Sequence, residues 1–72
     1  MKVKEFKTVL DAYQHIIIMK FPNKPNDLSA AISVFDGYPM LVPEECDELN
    51  VINVFVSNPK DKILMINTEE DK

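Results

Sequence analysis

The chain of 72 residues contains no arginine and no tryptophan, and it has only one glycine, one cysteine and one histidine. A single glycine excludes a glycine-rich phosphate-binding loop. One cysteine and one histidine are too few for a structural zinc site, which takes four such ligands. We therefore expect neither a cofactor nor a metal. The lone Cys46 has no disulfide partner in the chain, which is typical of a reducing cytoplasm and predicts a cytoplasmic protein.

Long apolar runs are also missing. No run approaches the roughly 18 residues that span a membrane, and Met1-Lys2-Val3-Lys4 leads into a mixed polar segment rather than the apolar core of a secretion signal. Apolar residues make up 46% of the chain and charged residues 28%, which is typical of a folded globular protein. We predict one small domain over residues 1–72, away from membranes. A chain this short buries a limited core, so a homodimer or a bound partner would add stability.

The formal net charge of −4 is unevenly placed. Residues 1–36 carry five lysines and four acids, whereas residues 37–72 carry three lysines and eight acids. Proteins that bind a phosphate backbone depend on clustered cations, and arginine is the side chain that clamps phosphates and reads guanine edges. The acidic second half and the absence of arginine therefore predict no direct contact with nucleic acid.

The first half of the chain predicts a helix, a strand and a loop. An apolar stripe at spacings of three and four indicates a helix over residues 3–13 and is formed by Val3, Phe6, Val9, Leu10 and Tyr13. The β-branched segment 14–21 is typical of a central strand that is covered on both faces. The segment 22–27 is rich in proline and asparagine and predicts a loop.

The second half predicts further strands and a short helix. A strand over residues 30–35 meets Asp36-Gly37, which signals a tight hairpin turn, and residues 38–42 would return as a short edge strand or extended loop. Residues 43–49 are typical of a short helix, because proline suits its first position and acids suit its first turn. A closing hairpin is predicted from strands 51–57 and 62–67.

The turn of this hairpin is Asn58-Pro59-Lys60-Asp61, and residues 68–72 form an acidic tail that we expect to fray. The layout is α-β-β-(β)-α-β-β. The predicted fold class is therefore α+β, a small antiparallel sheet of four to five strands with two short helices.

Three of the predicted strands are apolar on both faces, over residues Ile16–Met19, Val54–Val56 and Ile63–Ile66. Two short helices can cover one face of such a sheet but hardly both. Another copy of the chain or a target protein would then cover the second face. The alternative is that the strands curl into a small barrel that covers itself.

His15 and Cys46 are the only candidates for a catalytic base and nucleophile. Cys46 lies among four acids, whose field opposes formation of the thiolate, so we interpret it as a small apolar residue on the buried side of the second helix. We interpret His15, which opens a strand, as a solvated or capping residue. No catalytic motif is present, and we predict that the chain is not an enzyme.

The acidic stretches have two interpretations. Residues 69–71 and the set Glu44, Glu45, Asp47 and Glu48 are either a solvated tail and helix start, or a negative surface that imitates a nucleic-acid backbone in the basic groove of an effector. Near the loops, Phe21, Tyr38 and Pro39 are candidate anchors of an interface. The alternative is that these three pack within the fold in the ordinary way.

The chain resembles a group of short proteins of phages and mobile elements of low-GC Gram-positive bacteria. The resemblance is carried by the Val3-Lys4-Glu5-Phe6 helix start, the strand His15–Met19, the segment Pro43-Glu44-Glu45 and the closing hairpin Val51–Ile66. It implies a non-enzymatic protein, and proteins of this size and setting include inhibitors of bacterial immunity such as anti-CRISPRs. It supplies no functional residues.

The leading hypothesis is a small binding protein that inhibits a host defence effector, such as a CRISPR nuclease, by stoichiometric occlusion. Its acidic half and its exposed sheet surface would make the contact. One alternative is a homo-oligomeric structural or accessory protein of a phage or mobile element, in which the sheet face is the dimer interface. Another is a sponge for a signalling nucleotide, with Lys20, Lys24 and Tyr38 as ligand contacts.

Overall fold

The computed structural model of the protein describes residues 1–21 and 31–70. Within these residues it has a four-stranded sheet, two short α-helices and two 3-10 helices, so the predicted α+β class is confirmed. The helical elements are α1 (Val3–Phe6), η1 (Lys7–Val9), η2 (Pro39–Leu41) and α2 (Glu44–Asp47). The strands are β1 (Ile16–Phe21), β2 (Ile32–Gly37), β3 (Asn50–Asn58) and β4 (Ile63–Glu69). The loop predicted over residues 22–27 lies outside the described residues.

The strands are arranged in the order β2-β1-β4-β3. β1 and β2 are antiparallel, as are β3 and β4, but the central strands β1 and β4 run parallel. The sheet is therefore mixed, and the prediction of a purely antiparallel sheet is wrong in this respect. β1 lies in the interior of the sheet, as predicted. β2 and β3 form its two edges, so the described strands make an open sheet and not a closed barrel.

The parallel central pair follows from the path between β2 and β3. β2 ends at Gly37, opposite the first residue of β1, whereas β3 begins at Asn50, opposite the last residue of β4. Residues 38–49 therefore cross the sheet from one end to the other. A crossover of this kind takes about a dozen residues, and η2 and α2 lie within it. The sequence pattern of each segment does not reveal this crossover, because it depends on pairings between distant segments.

The tight turn predicted at Asp36-Gly37 is wrong. Both residues belong to β2, where Asp36 lies opposite Ile17 and Gly37 opposite Ile16. The Asp36 carboxylate is hydrogen-bonded to the His15 ring rather than to a turn. A Cβ atom at position 37 would lie 3.0 Å from Cζ of Phe35, so a larger residue there would require the Phe35 ring to shift by a few tenths of an ångström. The returning arm predicted over residues 38–42 is instead the start of the crossover.

The first helical segment is shorter than the predicted 3–13, because η1 ends at Val9. Thr8 Oγ1 donates a hydrogen bond to the Glu5 carbonyl at 2.7 Å, and the Asp11 carboxylate accepts one from the Tyr13 backbone N–H at 2.9 Å. Such bonds between side chains and backbone compete with helical ones. The apolar stripe therefore ends before Tyr13, which is exposed.

The core lies between the helices and one face of the sheet. Val3 of α1 and Cys46 of α2 are buried against the central strands, together with Ile16, Ile18 and Ile66. Side chains alternate between the two faces of a strand. The opposite face, here called the outer face, therefore carries Ile17, Met19, Phe55 and Met65, and no described helix packs on it.

β4 extends further toward the carboxyl end than predicted. It runs to Glu69, and Thr68 is fully buried with its Oγ1 donating a hydrogen bond to the Met19 carbonyl at 2.7 Å. Glu70 follows and is paired with Lys20. A frayed tail beginning at residue 68 is therefore wrong, and residues 71–72 lie outside the described residues.

Candidate partner-binding surface

Lysines of the first helical segment pair with two of the four acids predicted as a binding set. Lys7 Nζ lies 2.6 Å from the Asp47 carboxylate. Glu48 is contacted by two lysines, with Lys4 Nζ at 2.9 Å and Lys2 Nζ at 3.1 Å. These pairs hold α1 and η1 against α2. The negative charge of Asp47 and Glu48 is therefore largely compensated within the fold.

The ionisation of Glu48 reflects this pairing. Hydrogen bonds from Lys4 and then from Lys2 stabilise the charged carboxylate and lower the pKa of Glu48 below its ordinary value of 4.5. The side chain is nevertheless exposed to solvent. The surface position of Glu48 would suit a contact with a partner, but its negative charge is already neutralised by ion pairs with two nearby lysines.

Glu44 and Glu45 differ from the other two acids. Both are exposed at the start of α2, where Pro43 in an extended conformation precedes the first helical residue. Neither carboxylate forms an ion pair with any residue in the ranges 1–21 and 31–70. Two carboxylates that have no ion pair within the described residues therefore follow one another at the start of the helix.

Large, exposed apolar side chains precede these two acids in the chain. They belong to η2 and to Tyr38, the residue that caps the start of η2. Tyr38 is 45% exposed, Met40 78% and Leu41 65%. Pro39 is buried at the first position of η2, and the backbone N–H of Leu41 donates a hydrogen bond to the Tyr38 carbonyl at 2.9 Å. The buried proline fixes the turn and directs its neighbours outward. We call the set Tyr38, Met40, Leu41, Glu44 and Glu45 the η2–α2 surface.

Tyr38 is held in place from one side. Its ring packs against the His15 ring with the two centroids 5.8 Å apart, and His15 is in turn hydrogen-bonded to Asp36. The contact orients the tyrosine while nearly half of its surface stays open to solvent. This arrangement also gives His15 a structural part in the fold, in which it bonds a carboxylate and supports a ring.

Phe21 and Pro39, the other two candidate anchors, are not on the surface. Both are buried, so of the two interpretations given for them, packing within the fold is the one that agrees with the structure. Phe21 is the last residue of β1, which has a neighbouring strand on each side. A position near a loop in the sequence therefore did not mean a position near solvent.

Met40 and Leu41 were not among the predicted contact residues, because residues 38–42 were predicted as a short edge strand or extended loop. The sequence does contain a signal, which is the spacing of Pro39, Val42, Cys46 and Leu49 by three, four and three residues. The structure shows that all four are buried. This spacing is a helical period. It places the intervening residues, Met40 and Leu41 among them, on the outside.

The acidic helix and the outer face of the sheet lie on opposite sides of the molecule. α2 packs on the helical face through Cys46, whereas Phe55 and its neighbours lie on the other face. The acidic helix and the exposed sheet surface, which were expected to make one contact, therefore face different directions. The two must be considered as separate surfaces.

The residues suggested for a nucleotide do not converge. Lys20 lies near the end of β1 and is paired with Glu70, whereas Tyr38 packs on His15 just before the start of the same strand. Five residues of strand separate these positions, or about 16 Å. Lys24 lies outside the described residues. A cleft of about 320 Å³ adjoins Lys20, but Glu45 also lines it and would repel a phosphate.

Cys46 is buried in the core, as predicted. Burial raises the pKa of its thiol above the ordinary value, and the charges of Glu45 and Asp47 raise it further. In residues 1–21 and 31–70 no group of three or more His, Cys, Asp or Glu side chains is placed to hold a metal ion. None of the helices in this part of the chain is long and apolar enough to cross a membrane.

Comparisons of the chain with protein-family models, with curated proteins and with solved structures find no match.

Proposed function

We propose that the chain is a small, non-enzymatic binding protein of the cytoplasm that inhibits a bacterial defence effector by stoichiometric occlusion. A CRISPR nuclease is the first candidate for that effector. The observation that carries the proposal is the η2–α2 surface, in which three exposed apolar side chains and two exposed carboxylates without ion pairs lie within eight residues of chain. The resemblance to small mobile-element inhibitors agrees with this assignment.

The apolar part of the surface favours a protein as the partner. Exposed apolar patches with a polar rim are typical of protein interaction sites, and tyrosine and methionine are enriched in such interfaces. Tyr38 is suited to be an anchor because its contact with His15 already restricts the ring. A side chain that is ordered before binding loses less conformational entropy on binding.

The acidic part favours a partner with a basic groove. Nucleic-acid-binding effectors hold their guide and target strands in positively charged channels. Glu44 and Glu45 would accelerate association with such a channel, while Tyr38, Met40 and Leu41 would supply most of the affinity. Only two of the four acids have no ion pair within the described residues, so the imitation of a nucleic-acid backbone is confined to the start of α2.

The test is a titration of cleavage by purified RNA-guided nucleases of low-GC Gram-positive bacteria. We expect the wild-type chain to abolish cleavage at a fixed molar ratio to the nuclease, as a tight occluding inhibitor does. Met40→Lys should weaken inhibition at least tenfold, because it places a charge in the apolar centre of the contact. Tyr13→Lys makes the same kind of change at an exposed residue outside the surface and is the matched control.

Catalytic inhibition, in which a small fraction of one equivalent suffices, would contradict occlusion. Equal inhibition by wild type and Met40→Lys would contradict the assignment of the surface. If no nuclease in the panel is inhibited, the CRISPR nuclease is rejected as the effector.

A further inference from the structure

We propose that two copies of the chain associate through the outer edge of β3. The β3 strands would pair antiparallel about a two-fold axis and join two four-stranded sheets into one sheet of eight strands. This contact is separate from the η2–α2 surface of the proposed function. η2 follows β2, which is the strand at the other edge of the sheet. The two edges are separated by three strand spacings, or about 14 Å.

The edge of β3 lacks the charged and proline residues that usually protect an exposed strand. Its nine residues, Asn50–Asn58, include no charged side chain and no proline. Natural sheets usually place lysine, other charges or proline on such an edge to prevent pairing with another chain. The opposite edge, β2, carries the charged residue Asp36 near its end. β3 is therefore the edge on which pairing is least opposed.

The first residues of β3 already pair, on the side away from β4, with the amino-terminal residues of the same chain. Val3 donates a backbone hydrogen bond to the Leu49 carbonyl at 2.9 Å, and Val51 donates one to the Met1 carbonyl at 2.8 Å. Lys2 and Asn50 form an antiparallel bridge between these bonds. The amino-terminal residues then turn into α1. In the described part of the chain, no other segment pairs with the outer side of β3 beyond this point.

The remaining edge has a regular stretch that is suited to pair with itself. β3 has irregularities between Val51 and Asn53 and between Val56 and Asn58, and Asn53–Val56 between them pairs residue by residue with β4. An antiparallel copy would place this uncharged stretch against itself. No like charges would then face each other across the junction, in spite of the net charge of −4. Aromatic and β-branched pairs are also favoured across antiparallel strands.

Exposed apolar residues of this stretch lie on both faces of the sheet. Phe55 is 49% exposed on the outer face, and Val56 is 54% exposed on the helical face. A strand added beside β3 would cover Phe55 and Val56 together. A partner that packs onto one face of the sheet would cover only one of them. Two copies of a chain with a net charge of −4 repel each other, and the uncharged β3 edge is where they can approach without opposing like charges. An identical strand also covers the exposed apolar residues of both copies at once, and for these reasons we assign a second copy as the occupant.

The first test is the solution mass of the full chain over a wide range of concentration. We expect twice the chain mass of 8.3 kDa at high concentration. Val56→Lys should raise the dissociation constant of the dimer at least tenfold, because each copy would place a charge in the uncharged junction. Tyr13→Lys, with the same change far from β3, should leave the dimer intact. Circular dichroism checks that both variants are folded.

A second measurement does not depend on any variant. Amide hydrogens of Asn53–Val56 that point away from β4 should exchange slowly at high concentration and faster on dilution. A wild-type chain that stays monomeric, or amides whose exchange does not depend on concentration, would overturn the proposal. So would a dimer that is as stable in Val56→Lys as in the wild type.

This result is separable from the proposed function. Val56→Lys should still inhibit the effector through the η2–α2 surface. A monomeric variant that inhibits as well as the wild type therefore supports the β3 dimer and the separate inhibitory surface together.

Discussion

Glu48 shows how a surface residue can have a structural part rather than a functional one. Its pairs with Lys4 and Lys2 join α2 to the amino-terminal segment. The sequence placed Glu48 in one acidic set with Glu44, because adjacent acids look alike in a linear pattern. What separates them is the position of lysines more than forty residues away, which depends on the packing of α1 against α2.

The ion pairs of Glu48 predict a pH-dependent contribution to stability. Because the pKa of Glu48 is lower in the folded state, the contribution is present above the ordinary value of 4.5 and is lost as the pH falls through the folded value. Glu48→Gln should therefore lower the urea midpoint near neutral pH. At a pH low enough to protonate Glu48 in the folded state, variant and wild type should unfold at the same urea concentration.

The matched control is Glu44→Gln, which removes an acid of the same helix that has no ion pair within the described residues. Its midpoint should fall less than that of Glu48→Gln at neutral pH, because only the favourable position of Glu44 in the first turn of α2 is lost, and added salt should reduce the difference between the two variants. A midpoint difference for Glu48→Gln that is unchanged between neutral and acidic pH would contradict this account.

β4 is the element that joins the two halves of the fold. It lies between β1 and β3, and its buried residue Ile66 is opposite Ile18 on one side and Val54 on the other. Ile66→Ala should cost about 3 kcal/mol of unfolding free energy, since it leaves a cavity in the centre of a small core. Ile66→Val should cost about 1 kcal/mol. Urea unfolding at equilibrium measures both.

Ile52→Ala is the control for this series, because Ile52 lies in the edge strand and is exposed. It should change the free energy of unfolding by less than about 1 kcal/mol. A loss at Ile52 as large as the loss at Ile66 would mean that β4 is not the centre of the core.

The elements could largely be predicted from the sequence, and their arrangement could not. The β-branched segment that contains Ile16 and Ile18 indicated a central strand, and the closing hairpin of β3 and β4 was recognised from turn residues between two apolar segments. The parallel pairing of β1 with β4 could not be predicted, because it depends on the crossover of residues 38–49. Asp36-Gly37 is a sequence typical of a tight turn. It lies in β2 instead, where Gly37 pairs with Ile16 of β1.

The molecule as a whole exposes much of its apolar content. Among the described residues, eight hydrophobic side chains are buried and ten large ones are exposed. The exposed residues include Met40 and Leu41 of η2, which follows the edge strand β2, and Phe55 and Val56 of the other edge strand, β3. The proposals for an effector and for a second copy each assign a partner to one of these groups. A dimer joined through β3 would carry two η2–α2 surfaces, one on each copy.

The most direct test of the central claim compares two double variants of the same short helix. Glu44→Gln with Glu45→Gln and Asp47→Asn with Glu48→Gln each remove two negative charges from α2. We measure the inhibition constant of each against the inhibited nuclease, and the urea midpoint of each alone.

We expect the first pair to weaken inhibition about tenfold and to change the midpoint less than the second pair does, because its charges serve a partner rather than an ion pair within the fold. We expect the second pair to lower the midpoint and to leave inhibition within about twofold, because its charges are compensated by Lys7, Lys4 and Lys2. Equal loss of inhibition in both pairs, or the reverse order, would contradict the account.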